Sequence, residues 1–325
     1  MTEVRHGPGG ANVKPEHEYS VTVAGPGALG LLVAARLARA GCKVRLLDHR
    51  PERAALLARS GITVEESNSI WTAHPAITAD PAAARADVII VCVKAFSTGD
   101  LCRQIAPHVT PSTIILSLQN GLGNVESLLR LPAGDVLAGV TGTGALLLAP
   151  GRVRSTGDGI TWIATARGGI TSVDTVAAAL RNAGFDTRYH PDLRVMLWTK
   201  LILNAAINPL TARYRLLNGE LLGHPLAGPL ARQVVAECVT VANATGIPVR
   251  ESEMITALEE LCRNTARNRS SMLRDVEQGR PTERNAITGA IVAQAEALGI
   301  RVPVNRGILE HTADHAADES ANDDH

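Results

Sequence analysis

The amino-acid sequence predicts an α/β protein in which a mostly parallel sheet with flanking helices precedes a separate all-helical region. Over residues 19 to about 165, short apolar runs alternate with helical patterns, as is typical of βαβ units. A glycine-rich turn follows the first run, and helical periodicity replaces the β-prone runs beyond this segment. The 325 residues suffice for two domains, which we place at 19–190 and 191–311, with solvated, disordered tails at 1–18 and 312–325.

The sheet is predicted from apolar runs in the first half of the chain. YSVTVAG at 19–25 is predicted as the first strand, ALGLLVAARLARAG at 28–41 as the first helix and KVRLLD at 43–48 as the second strand. ADVIIVCVK at 86–94 and STIILSLQNG at 112–121 are nearly continuous apolar runs. Such runs are typical of strands that are buried on both faces of a parallel sheet.

The later segments change in character. Pro-Gly and Gly-Asp-Gly interrupt the apolar runs at 141–165, and we predict antiparallel strands there, at one edge of the sheet. Segments at 226–246, 254–279 and 283–299 have apolar residues at helical spacing and end at glycine. They predict an all-helical C-terminal domain.

Charge and composition exclude several classes of function. Lys plus Arg and Asp plus Glu both number 32, so no charge excess favours nucleic acid or a membrane surface as a partner. No apolar run reaches the roughly 18 residues of a membrane span, and the N-terminal stretch lacks the apolar core of a signal peptide. Five cysteines without a CxxC pair favour reduced thiols, so we expect a cytoplasmic protein without a metal site.

The turn GPGALG has the spacing Gly-x-Gly-x-x-Gly between a predicted strand and a predicted helix, which is the context of the phosphate-binding turn in Rossmann dinucleotide-binding domains. Gly25 allows the tight turn, Gly27 lets the backbone approach a pyrophosphate at the helix N-terminus, and Gly30 permits close packing of helix on strand. The cofactor-binding residues predicted in this turn are Gly25, Pro26, Gly27, Ala28, Leu29 and Gly30. The alternative is a glycine-rich turn without a ligand.

The end of the second strand bears on the choice of cofactor. Asp48 lies where a carboxylate accepts a hydrogen bond from the ribose of NAD and repels the 2′-phosphate of NADP. His49, Arg50 and Arg53 follow, and such cations can hold that phosphate. The residues themselves therefore leave both cofactors open.

Two further loops follow the C-terminal ends of strands, where ligands bind in such sheets. One contains Lys94 in VCVKAFST, and the other contains Gln119, Asn120 and Gly121 in LQNGLG. Lys94 is either a site residue or a solvated surface lysine.

The stretch WTKLILNAAINPLTA at 198–212 is apolar on most sides, yet it carries Lys200, Asn204 and Asn208 at four-residue spacing. That spacing places the three side chains on one face of a helix, and the apolar remainder predicts that this helix is buried. Pro209 predicts that Asn208 lies at a kink or at the helix end. A polar seam that faces solvent or a dimer contact is the alternative.

In their order along the chain, these motifs resemble those of the ketopantoate reductases, also called 2-dehydropantoate 2-reductases. The resemblance covers about residues 20–311 and rests on GPGALG, VKA, QNGLG, WTKLILNAAINPLTA and SSMLRDVEQGRPTERNAITG. It implies a Rossmann domain followed by a helical domain, with the active site in the cleft between them. It also implies reduction of 2-dehydropantoate to pantoate with NADPH, toward pantothenate and coenzyme A.

The resemblance assigns roles to the residues that match the family's motifs. Lys200 is implied as the general acid, and Glu283 as the catalytic group that orients this lysine and the substrate. The implied substrate-binding residues are Asn120, Asn204, Asn208 and Ser271. The implied cofactor contacts beyond the glycine turn are Asp48, His49, Arg50, Lys94, Asn120 and Glu283. NADP is the expected cofactor, and NAD is the alternative because of the acid at position 48.

The chemistry of such a substrate explains why a buried helix would carry an amine and two amides. A 2-oxo acid that accepts hydride develops negative charge on its carbonyl oxygen and needs a proton donor there. Burial would lower the pKa of Lys200 and favour donation, and amides offer donors and acceptors without charge. We therefore expect a small 2-oxo acid as the substrate. Separately, the expected assembly is a homodimer. The alternatives are an NAD(P)H-dependent reductase of another branched 2-oxo acid and a non-catalytic dinucleotide-binding protein.

Overall fold

The computed structural model describes residues 19–311, so the tails predicted at 1–18 and 312–325 lie outside the described residues. In the described part of the chain the strands are β1 (Ser20–Ala24), β2 (Lys43–Leu47), β3 (Ile62–Glu66), β4 (Ser69–Ala73), β5 (Ala76–Thr78), β6 (Val88–Val91), β7 (Ile114–Ser117), β8 (Asp135–Thr141), β9 (Gly144–Ala149), β10 (Arg152–Gly157), β11 (Thr161–Arg167) and β12 (Thr187–Tyr189). The α-helices are α1 (Ala28–Arg39), α2 (Pro51–Ser60), α3 (Thr98–Ile105), α4 (Asn124–Leu128), α5 (Ile170–Asn182), α6 (Leu193–Tyr214), α7 (Ala227–Ala244), α8 (Glu251–Asn264), α9 (Ser271–Glu277), α10 (Ala290–Ala297) and α11 (Pro303–His311).

Eight strands form the main sheet in the order β12-β11-β8-β7-β6-β1-β2-β5. Neighbouring strands are parallel except for β8 and β11. Val21 of β1 lies opposite Val44 of β2 on one side and Val88 of β6 on the other. The predicted runs form β1, β2, β6 and β7, and helices bury both faces of this sheet. The predicted fold class, a Rossmann-type sheet domain followed by helices, is confirmed.

The strands β9 and β10 correct one prediction. They do not lie at an edge of the main sheet but join β3 and β4 in a second sheet, in the order β4-β3-β10-β9. Only β8 and β11 pair as antiparallel strands within the main sheet. The parallel pairing of β3 with β10 sets Thr63 opposite Arg152, a distant contact that local turn signals do not predict.

Helix α6 is the centre of the helical region and packs against α7, α8 and α9. It continues through Pro209 to Tyr214, so it does not end at Asn208; of the two predictions for this position, the helix end is wrong and the kink stays a prediction. The residues around Pro209 are buried, and this packing outweighs the local cost of a proline in a helix. The last strand ends at Tyr189 and α6 begins at Leu193, so the proposed domain boundary falls in the link between them.

The segment at 254–279 contains two helices, most of α8 and the whole of α9, instead of one. Ser270 caps the second helix, because its Oγ accepts a hydrogen bond from the backbone N–H of Leu273 at 3.1 Å. The hydroxyl of Thr211 on α6 donates to the same oxygen at 2.7 Å. The start of α9 is therefore fixed to the central helix.

Two absences hold within residues 19–311. None of the helices there has the length and apolarity needed to cross a bilayer. The same residues contain no group of three or more His, Cys, Asp or Glu side chains that could hold a metal ion.

Candidate active site

The glycine turn joins β1 to α1 at the point where β2 lies on one side of β1 and β6 on the other. Gly25 has a φ of +108°, and a Cβ there would lie 2.7 Å from the backbone nitrogen of Val93. A Cβ at Gly30 would collide with the carbonyl oxygen of Gly25, in agreement with the predicted close packing. Gly27 is exposed at the N-terminus of α1, and its Cβ would meet nothing within 4 Å. Open space before the free N–H groups of a helix fits a pyrophosphate.

Asp48 follows β2 and is completely buried, with 0% of its surface exposed. Its Oδ2 accepts a hydrogen bond from Arg53 Nε at 2.5 Å. Its Oδ1 accepts from Arg53 Nη2 at 2.7 Å and from the backbone N–H of Arg50 at 3.0 Å. The side chains of His49 and Arg50 are exposed. The carboxylate that was predicted to meet a ribose is thus enclosed by Arg53, while the two residues after it face the solvent.

Helix α6 carries Lys200, Asn204 and Asn208 on one face. The Nζ of Lys200 donates to the carbonyl oxygen of Thr141 at 3.5 Å, at the C-terminal end of β8. Burial lowers the pKa of Lys200 from its ordinary value of 10.5, in the predicted direction. Asn204 and Asn208 are both buried. The helix therefore brings an amine with a disfavoured charge to the ligand-binding edge of the main sheet.

Amide side chains connect α6 to the sheet. Asn204 Nδ2 donates to Asn120 Oδ1 at 3.3 Å, and Asn120 Nδ2 donates to Glu283 Oε2 at 3.2 Å. Asn120 lies in the loop after β7, and Glu283 lies shortly before the π-helical turn Asn285–Gly289. Three predicted site residues from distant parts of the sequence thus form one chain of hydrogen bonds.

Lys94 lies after β6 and binds two carboxylates of the helical region. Its Nζ donates to Asp275 Oδ2 at 2.7 Å and to Glu283 Oε2 at 3.5 Å. Burial acts to lower the pKa of Lys94, but attraction to Glu283 and Asp275 outweighs it and raises that pKa. Asp275 is 3% exposed and also accepts from Arg280 Nε at 3.1 Å and Nη2 at 2.8 Å.

Asp275 and Arg280 were not among the residues that the sequence predicted for the site. Both lie inside the motif SSMLRDVEQGRPTERNAITG, between the two residues that the resemblance selected from it. The available signal was an acid next to Val276 and two residues after Leu273, because an acid among apolar residues needs a cationic partner.

The expected role of Glu283, to orient Lys200 and the substrate, stays a prediction, and its contacts within the chain are with other groups. Its Oε1 accepts a hydrogen bond from the backbone N–H of Ala95 at 3.1 Å, and its Oε2 accepts from Asn120 and Lys94. Within residues 19–311, none of its hydrogen bonds or ion pairs joins it to Lys200. Glu283 orients Lys94 and Asn120 because the loops after β6 and β7 supply these donors.

A network of buried hydrogen bonds lies beneath Asn120, and the sequence did not predict it. Gln119 Nε2 donates to the carbonyl oxygen of Val93 at 3.0 Å and to Thr98 Oγ1 at 2.7 Å. Thr98 Oγ1 donates to Asn124 Oδ1 at 2.8 Å, and Asn124 Nδ2 donates to the carbonyl oxygen of Asn120 at 2.9 Å. These bonds hold together the backbones of the loops that carry the lysine at 94 and the amide at 120.

The π-helical turn packs directly on the loop after β7. The backbone N–H of Leu122 donates to the carbonyl oxygen of Ala286 at 3.1 Å. Gly121 has a φ of +83°, and a Cβ there would collide with the same carbonyl. Ser271, the predicted substrate contact on α9, is exposed at the first position of that helix. The adjacent Ser270 is the residue that caps the helix.

The chain matches known proteins over both regions. The family Ketopantoate reductase PanE/ApbA matches residues 21–168, and the family of its C-terminal domain matches residues 192–315. The 2-dehydropantoate 2-reductase of Halobacterium salinarum is 35% identical over 294 residues, covering 89% of this chain and 96% of that protein. The 2-dehydropantoate 2-reductase of Archaeoglobus fulgidus is 36% identical over 293 residues, covering 89% and 95%.

A solved structure agrees with these sequence matches. The PanE/ApbA family ketopantoate reductase from Ralstonia eutropha superposes with a TM-score of 0.82 and 31% identity, covering 90% of this chain and 97% of that one. The similarity extends over the glycine turn, the loops after β6 and β7, and the helical region with Lys200. The chain therefore belongs to the ketopantoate reductase family.

Proposed function

We propose that the protein reduces 2-dehydropantoate to pantoate with NADPH, a step toward pantothenate and coenzyme A. The observation that carries the proposal is the face of α6, which brings a half-buried amine and two buried amides to the same sheet edge as the glycine turn. Support also comes from relatives of matching length that are named 2-dehydropantoate 2-reductase.

The reaction adds a hydride to the carbonyl carbon and a proton to the carbonyl oxygen of a 2-oxo acid. The nicotinamide cofactor supplies the hydride when it is bound. Lys200 gives the proton from its Nζ to the oxygen, and its lowered pKa favours that transfer. Before the proton moves, the ammonium group also stabilises the negative charge that develops on the oxygen.

Substrate recognition falls to neutral polar groups. Asn120, Asn204 and Asn208 bind the carboxylate and the hydroxyl of the substrate, and Ser271 adds a hydroxyl from the exposed start of α9. Groups held on a rigid helix keep the carbonyl in place for hydride transfer. This set fits a small 2-oxo acid.

The turn from Gly25 to Gly30 and the loops after β6 and β7 would hold the cofactor. Lys94, Asn120 and Glu283 line its side of the site. We assign NADP, not NAD, because the exposed His49 and Arg50 suit a 2′-phosphate.

The location and the assembly are also part of the proposal. All five cysteines are free thiols, which supports a reducing compartment and hence the cytoplasm. A homodimer stays a prediction, and sedimentation velocity of the purified chain tests it.

The test is a panel of 2-oxo acids with the purified chain, followed by nicotinamide absorbance. We expect 2-dehydropantoate to give the highest kcat/KM. An advantage of about tenfold for pyruvate or another unbranched acid, equal to about 1.4 kcal/mol, would contradict the substrate and keep the reductase. Binding of NADPH without turnover of any acid would instead identify a non-catalytic dinucleotide-binding protein.

A further inference from the structure

We infer that Arg53 is a specificity-determining residue for the cofactor, because it masks an acid that would otherwise favour NADH. The inference rests on the proposed function, since it concerns which dinucleotide the reductase accepts. It assigns the decision to the pair of Asp48 and Arg53, and not to the acid alone.

The position of Asp48 makes it relevant to cofactor choice. The backbone N–H of Gly25 donates to the carbonyl oxygen of Leu47 at 3.0 Å, so the end of β2 is fixed beside the glycine turn. A free carboxylate at this place accepts a hydrogen bond from a ribose hydroxyl and repels a phosphate on the same ribose. An unmasked Asp48 would therefore select the dinucleotide without a 2′-phosphate.

Arg53 prevents both effects. Its guanidinium meets the carboxylate as a fork, with Nε on Oδ2 at 2.5 Å and Nη2 on Oδ1 at 2.7 Å. Both oxygens of Asp48 are thereby occupied and enclosed, so they do not reach a ribose. The positive charge of Arg53 also cancels the repulsion that the carboxylate would exert on a phosphate.

Exposed cationic side chains adjoin this pair. The Arg53 side chain is 30% exposed, and the exposed residues His49 and Arg50 adjoin it. The two arginines balance the charges of the buried Asp48 and of Glu52, the exposed acid in the first turn of α2. An anionic 2′-phosphate is accepted here because Arg53 neutralises the acid that lies beside the glycine turn.

The experiment measures the dissociation constants of NADPH and NADH by fluorescence titration, without any 2-oxo acid. In Arg53→Leu we expect the ratio of the two constants to move toward NADH by about tenfold or more, which corresponds to about 1.4 kcal/mol. Arg53→Gln, which keeps a hydrogen-bond donor and loses the charge, should move it in the same direction by less. This second variant serves if the leucine variant does not fold.

The double variant Asp48→Asn/Arg53→Leu separates masking from direct phosphate binding. If Arg53 masks Asp48, loss of the acid should return the ratio most of the way to wild type. A double variant that matches Arg53→Leu would overturn the inference, because Arg53 would then act on the phosphate alone. An unchanged ratio in both Arg53 variants would overturn it as well.

The matched control is Arg59→Leu, which removes the same charge from the exposed end of the same helix without touching Asp48. It should leave the ratio unchanged, and an equal shift there would overturn the inference, since a general loss of positive charge would explain the result. Failure of the proposed function is distinguishable, because it would appear as absent turnover or absent binding in the wild-type chain.

Discussion

Lys200 is a residue whose surroundings oppose its charge, and this opposition predicts a pH dependence. Reduction needs the protonated amine, so the rate should fall as the pH rises through the pKa of Lys200. Because burial lowers that pKa, the fall should occur below the ordinary value of 10.5. The measurement is a pH profile of kcat with saturating cofactor and 2-oxo acid.

Substitution of Lys200 tests its role as proton donor. Lys200→Ala should lower the chemical rate by roughly 10²–10⁴-fold and leave the affinity for NADPH nearly unchanged. Lys200→Arg should also fail, because guanidinium holds its proton too tightly near neutral pH. Single-turnover kinetics and cofactor titration give the two readouts. Near-normal turnover in the arginine variant would mean that the proton comes from another group.

Replacing Lys200 with an uncharged residue should stabilise the fold. Below the lowered pKa, the folded chain bears the full cost of a buried charged amine, and this cost is relieved as the pH rises toward 10.5. Lys200→Met should therefore raise the Tm by a few degrees at pH 7, with a smaller gain at higher pH. Lys43→Met, at an exposed lysine, is the control and should change little. A lower Tm for Lys200→Met at pH 7 would show that the amine stabilises the fold.

At the scale of elements, two glycines of the glycine turn have different roles: Gly27 serves ligand binding and Gly30 serves packing. Gly27 has a φ of −72° and an open surrounding, so Gly27→Ala should keep the Tm of the ligand-free protein and weaken NADPH binding. Gly30→Ala adds a methyl group against the carbonyl of Gly25 and should destabilise by about 1–3 kcal/mol or more. Thermal melts and cofactor titration of both variants check this. Equal effects on the Tm would contradict the assignment.

A second matched pair of variants tests the contact between the π-helical turn and the loop after β7. Gly121→Ala and Gly123→Ala both place alanine at a positive φ, which costs about 1–3 kcal/mol. Only the first drives a methyl group into the backbone of Ala286, which would move the loop that holds Asn120. We expect a much lower kcat for Gly121→Ala than for Gly123→Ala. Similar rates would show that the contact with the turn does not position the amide.

Local sequence patterns predicted some elements and not others. The strands at Val88–Val91 and Ile114–Ser117 were predictable because burial on both faces requires continuous apolar runs. The small sheet was not, because its central pairing joins Glu65 to Arg154 across 89 residues. The course of α6 through Pro209 was also unpredictable, because the surrounding core decides it. In the site, Lys200 and the amides stood out as polar residues on an apolar helix.

At the scale of the whole molecule, charged contacts attach the helical region to the sheet. Lys94 and Asp275 form the shortest of these at 2.7 Å. Glu283 adds a contact by accepting a hydrogen bond from the backbone N–H of Ala95. The Lys94 side chain is 38% exposed, so solvent screens the pair. A double-mutant cycle with Lys94→Met and Asp275→Asn should give a coupling of roughly 1 kcal/mol.

The control for that cycle is Glu277→Gln, which removes the same charge from the same helix. Its pair with Arg269 is long, at 3.6 Å, and should contribute little. Denaturant unfolding provides the free energies. A coupling near zero would mean that the pair of Lys94 and Asp275 does not help to join the two regions.

The small sheet has a consequence for the order in which the chain acquires its structure. The hairpin of β3 and β4 leaves the ribosome well before β10, its partner on the other side. Until β10 arrives, the edge of β3 is unpaired and able to template wrong association. The charge of Glu65 on β3 disfavours pairing of this edge with another copy of the chain during the delay. When β10 pairs with β3, its residues Arg152 and Arg154 neutralise that charge, so the edge is closed and the charge is compensated in the same step.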